Sequence, residues 1–162
     1  LTALDAHLTK YGGHDHAAGM TLPATGVEAF TEAIDDRARA VLEPEHLRPR
    51  LSLDAECSLD QVSFLLIEDM AKLAPHGMGN PEPVLYATGV QVIDQRVVGA
   101  DKRHLKLTLD AGGRGMDAIA FGMASQAPPT GTRVDIAYVP EVNEFRGRRS
   151  LQLRIKALRP TA

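Results

Sequence analysis

The sequence holds a single cysteine, Cys57, which excludes an intramolecular disulfide and with it a disulfide-stapled secreted domain. Tryptophan is absent and aromatics are only 4% of the residues, so any recognition by ring stacking has to be modest. No apolar run approaches the roughly 20 residues that cross a bilayer, and no apolar segment opens the chain as a signal peptide would. These absences predict a soluble, cytoplasmic chain with no membrane partner. What is present is a hydrophobic content of 44%, enough for a real core and too much for a disordered tail. A length of 162 residues allows one ordinary domain or two small ones. Leu1 stands in place of Met and inside a helical pattern, which predicts a piece of a longer protein.

The net charge of -3 hides an asymmetry. Residues 1–80 carry 6 Lys+Arg against 13 Asp+Glu, a net of -7, whereas residues 81–162 carry 12 against 8, a net of +4. Such a split predicts two units, the second facing something anionic, although the halves of many proteins differ by a few charges.

Hydrophobic spacing divides the chain further. Leu1, Leu4, Leu8 and Tyr11 recur at helical intervals up to Gly12-Gly13, which reads as the end of a helix. Ala17 to Leu22 reads as a short strand. A helix follows, with Thr25 and Glu28 as capping box and Val27, Phe30, Ile34, Ala38 and Val41 as buried stripe, and Pro44 and Pro49 end it. A strand near 51–57 leads to a second capping box, Ser58 with Gln61, before a helix burying Val62, Leu65, Leu66, Met70 and Leu73. Beyond a turn region rich in Gly and Pro, five strands are expected at 84–98, 103–110, 115–121, 133–139 and 149–158. Five short strands without a strong helix between them predict a small barrel, closed or nearly so.

The segment Gly12-Gly13-His14-Asp15-His16-Ala17-Ala18-Gly19 is the densest chemical signal. Paired glycines let a backbone approach a phosphate with its amides free. His14 beside them can add a hydrogen bond or a charge. A Gly-Gly helix cap with a structural histidine remains the plainer reading. Zinc is disfavoured, because Cys57, His7, His46, His76 and His104 offer no spacing that completes a His14/His16 pair.

Gly12-Gly13-His14 followed by Ala17-Ala18-Gly19 resembles the signature of the DHH-associated domain of DHH-family phosphoesterases. Leu73-Ala74-Pro75-His76-Gly77-Met78-Gly79-Asn80-Pro81-Glu82-Pro83 resembles a segment typical of RecJ exonucleases, where it joins that domain to an OB-fold. The resemblance covers nearly the whole chain. It implies an α+β chain: a partial DHH-associated α/β domain at 1–48, then a connecting strand and helix plus a five-stranded OB-fold barrel at 49–162. It also implies a 5′-to-3′ single-stranded-DNA exonuclease of recombination and repair, in which Gly12, Gly13 and His14 hold the scissile phosphate. The family's Asp-His-His metal motif is missing from this sequence. The divalent metal, Mn or Mg, would then be held by residues outside it, and the chain alone is expected to be inactive. Implied partners are single-stranded DNA, a single-strand-binding protein and a helicase, with the enzyme a monomer.

Strand alternation supplies an independent argument. Leu151, Leu153, Ile155 and Ala157 alternate with Gln152, Arg154 and Lys156, and Leu105, Leu107 and Leu109 alternate with His104, Lys106 and Thr108. One face is then core and the other basic. A loop at 143–149 adds Phe145, Arg146, Arg148 and Arg149. Together with Arg103 and Tyr138, these residues form the expected single-strand-binding face, its affinity dominated by phosphate contacts. Exposed basic residues that merely keep strand edges soluble are the alternative. Two other functions stay open: a non-catalytic module binding single strands or a partner protein, and a DHH-type activity on oligoribonucleotides or cyclic dinucleotides.

Overall fold

The computed structural model describes residues 1–161. Two compact units divide the chain, Leu1–Arg50 and the remainder from Leu51.

In the first unit a short 3-10 helix (Thr2–His7) precedes a hairpin of β1 (Lys10–His14) and β2 (Ala17–Thr21). The predicted helix end at Gly12-Gly13 is thus corrected, since both glycines are strand residues, paired with Gly19 and Ala18. At Gly13 the reason is steric: a Cβ would lie 2.4 Å from the Ala17 carbonyl oxygen. Helix α1 (Val27–Val41) forms where expected, but its cap is Gly26, and Thr25 lies in a preceding 3-10 turn and makes no capping bond. Of the apolar stripe only Phe30 is buried, with His7 packed edge-on against its ring; Val27, Ile34 and Val41 are exposed.

The second unit is a barrel. Its strands are β4 (Leu85–Val98), β5 (His104–Asp110), β6 (Gly115–Ala120), β7 (Arg133–Phe145) and β8 (Arg148–Pro160). They run in the order β4-β5-β6-β8-β7, and β4 also pairs with β7, closing the sheet into an OB-fold. All pairings among these five are antiparallel except β6 with β8. β4 can serve two neighbours because it bends at Gly89, whose φ of +63° suits glycine alone at little cost. Asp135 accepts a hydrogen bond from the Gly89 amide at 3.1 Å and Arg133 donates to the Gly89 carbonyl at 2.6 Å, which fixes the bend.

Period-two alternation builds the core from Leu105, Leu107, Leu109, Met116, Ala118, Ala120, Val134, Ile136, Leu153 and Ile155. The Ser58–Gln61 capping box forms, though on a 3-10 turn, and α2 (Phe64–Ala71) is capped instead by Ser63. Val62, Leu66 and Met70 pack on the core, whereas Leu65 and Leu73 stay exposed, contrary to expectation. The strand expected near 51–57 shrinks to β3 (Ala55–Glu56), parallel to β4. Ala157, expected in the core, is exposed. A bulge between Ala137 and Tyr138 leaves Lys156 without a partner and reverses the alternation beyond it.

Candidate nucleic-acid interface

The outer barrel face can be assembled row by row from the register. Lys106, Ile119 and Arg154 lie side by side across β5, β6 and β8, and Thr108, Asp117 and Gln152 form the adjacent row. Alternation does turn Lys106, Arg154 and Lys156 outward, yet each meets a carboxylate. Lys106 pairs with Asp117 at 3.2 Å. Arg154 Nη2 reaches both oxygens of Glu82 at 2.8 and 2.9 Å, its Nε reaches Glu141 at 3.2 Å, and Lys156 adds Glu82 at 3.5 Å. Burial alone would raise the Glu82 carboxyl, but hydrogen bonding and charge from Arg154, with Lys156, hold it below its ordinary value. Arg103 is paired with Asp101. The uniformly cationic strand face expected from the sequence is therefore corrected to a neutralised network. Its carboxylates come from a segment that crosses the outside of the barrel and from neighbouring strands.

Tyr138 is a second correction. It is 0% exposed, and its hydroxyl donates to the Cys57 carbonyl at 2.7 Å, so no ring face is available to a base. Burial, and then that bond, push its hydroxyl pKa up.

The expected loop at 143–149 is strand on both sides of a two-residue turn. Arg146 and Gly147 both have positive φ, 51° and 73°, as a tight hairpin turn of the right twist requires. Among the described residues Arg146, Arg148 and Arg149 make no ion pair. Arg146 lies over the Phe145 ring at 5.2 Å and Arg149 over the Phe64 ring at 5.7 Å. Register pairs Phe145 with Arg148 and Glu144 with Arg149, which sends Arg148 and Arg149 to opposite faces of the hairpin. Phe145 and Phe64 are 65% and 40% exposed. Phe64 escapes any reading of the sequence, because its place beside the turn depends on how α2 packs.

Phe121 is also absent from the expected face, although it continues the outward parity of Asp117 and Ile119 and could have been found by counting. His104 is half-buried beside it, ring to ring at 5.3 Å. The barrel core holds no phenylalanine, and all three in this unit sit at the surface beside an arginine or a histidine.

In the first unit His14 is exposed at the end of β1, and its Nδ1 accepts the His16 amide at 3.2 Å across the turn. Nε2 remains to face a ligand. Gly12 has open space above its Cα. No group of three or more His, Cys, Asp or Glu side chains among the described residues could hold a metal ion, so these residues do not fit the Mn or Mg implied by resemblance. No helix among them is long and apolar enough to cross a membrane.

A family model described as the RecJ OB domain matches residues 53–157. The chain is 32% identical over 157 residues to the "Single-stranded-DNA-specific exonuclease RecJ" of Haemophilus influenzae, covering 94% of this chain and 27% of that protein. It is 32% identical over 151 residues to the protein of the same description from Bacillus subtilis, covering 92% and 19%. Among solved structures, RecJ from Thermus thermophilus in complex with Mn2+ matches with a TM-score of 0.76 at 25% identity, over 99% of this chain and 23% of that one. The chain thus spans roughly a fifth to a quarter of the length of these relatives.

Proposed function

The chain belongs to the RecJ OB domain family, and from that premise we propose that it grips single-stranded DNA for a 5′-to-3′ exonuclease of recombination and repair. The metal-binding residues of that enzyme belong to sequence outside this chain, and the chain by itself does not hydrolyse DNA. A single-strand-binding protein and a helicase are the partners proposed for the intact enzyme, which acts as a monomer in the cytoplasm.

One observation carries the reading. The β7–β8 turn presents Arg146, Arg148 and Arg149 without carboxylate partners among the described residues, beside the exposed rings of Phe145 and Phe64. Guanidinium groups neutralise phosphates and rings accept bases, which is how single strands are held with little regard to sequence. Arg103, His104, Lys106, Arg154 and Lys156 contribute less, because their charge or hydrogen-bonding capacity is already engaged. In the first unit the Gly12-Gly13-His14 edge offers Nε2 of His14 to a phosphate oxygen of the bound strand.

Changing Arg146, Arg148 and Arg149 together to glutamate tests the reading. Affinity for a single-stranded oligonucleotide, measured by fluorescence anisotropy at low salt, is expected to fall more than about tenfold, since each lost charge contact contributes on the order of 1 kcal/mol. Unchanged affinity would overturn it.

A further inference from the structure

At the far end of the β5–β6 ladder from the β7–β8 turn, a second aromatic is held in place for a ligand. Phe121 is 57% exposed, yet its surroundings are tied down. Gly122 follows it with φ of +73° and donates its amide to His104 Nδ1 at 3.1 Å. Two residues on, the Ala124 amide donates to the Arg103 carbonyl at 3.1 Å. The His104 ring stands at 74° to the Phe121 ring. It fits there because Gly99 has no side chain: a Cβ at that position would come within 2.8 Å of His104 Cδ2. The β4–β5 turn beside it carries Lys102 and Arg103.

An exposed benzyl ring held in water gains nothing for the fold. Immobilised with one edge contact and flanked by cations, it suits a flat, uncharged ring attached to a phosphate. Stacking on such a platform contributes about 1–3 kcal/mol per base, whatever the base. We propose that Phe121 is a stacking platform for a nucleobase, kept in position by His104, and that it forms a second point of contact for the strand gripped at the β7–β8 turn. This rests on the single-strand-binding reading above and deepens it.

The absence of tryptophan provides the test, because Phe121→Trp makes the ring the only indole in the chain. The substituted 162-residue chain would be titrated with oligothymidylate and with an abasic strand of equal length. Indole emission and the anisotropy of a labelled strand would be followed together. The expected result is quenching that saturates in step with binding for the base-bearing strand and is weak for the abasic one. Phe121→Ala should weaken binding about tenfold with the salt dependence unchanged, because no phosphate contact is lost. Binding seen by anisotropy with unquenched emission, or Phe121→Ala at full affinity, would overturn the platform while leaving the β7–β8 grip intact. No binding by the unaltered chain would remove both.

Discussion

At Tyr138 a single polar atom is buried and has one partner. The hydroxyl bonds the Cys57 carbonyl, 81 residues away in sequence, and so ties the segment before α2 to β7. Tyr138→Phe keeps the ring and leaves that carbonyl unpaired, which should lower stability by about 1–2 kcal/mol in urea unfolding. Strand binding should not change, since the ring never meets solvent. A loss of DNA affinity with stability intact would restore Tyr138 as a stacking residue. Its burial was legible in part, because alternation already groups it with Val134 and Ile136. Arg154 was legible only as outward. Its partner Glu82 lies 72 positions away, and no local pattern announces that pairing.

Among the elements, the segment leading into β4 behaves as a strap. Arg154 and Lys156 hold Glu82, Asp54 accepts the Val84 amide at 2.7 Å, and the Asn80 side chain donates to the carbonyls of Leu73 and Pro75. The turn residues that read as a mere connector are thus fastened to the outside of the barrel. Because the Glu82 carboxyl sits below its ordinary value of 4.5 when folded, its contribution is complete above that pH and is lost as pH falls through the lower, folded value. Unfolding measured from about pH 7 down to about pH 3 should show this acid loss in the native chain and a smaller one in Glu82→Gln. Arg154→Ala should cost about 1–2 kcal/mol near neutral pH, limited by partial exposure, with little change in DNA affinity. A large fall in affinity instead would mean that Arg154 leaves the strap to bind the strand.

The five barrel strands were readable because a sheet with one face in the core and one in water must alternate. β5 does so at every residue. Where a bulge intervenes, as at Lys156, alternation misleads. Where glycine permits either state, as at Gly12-Gly13, helical spacing upstream proves a poor guide, and pairing with β2 decides. The apolar stripe of α1 is a genuine pattern, but a pattern does not say what covers it.

For the molecule as a whole, the charge excess of the second half proves to be unevenly used. Much of it neutralises Glu82, Glu141 and Asp117 within the barrel, and the turn at Arg146-Gly147 retains cations with no acidic partner among the described residues. Site legibility follows the same line: residue types and outward faces could be read, whereas which charges were left unpaired could not. The strand's phosphates are therefore expected at that turn. The most direct measurement is the slope of log affinity against log salt for a single-stranded oligonucleotide, compared between the native chain and the Arg146/Arg148/Arg149 triple glutamate variant. Loss of three phosphate contacts should flatten the slope by about 2; equal slopes in the two proteins would contradict a grip at the β7–β8 turn.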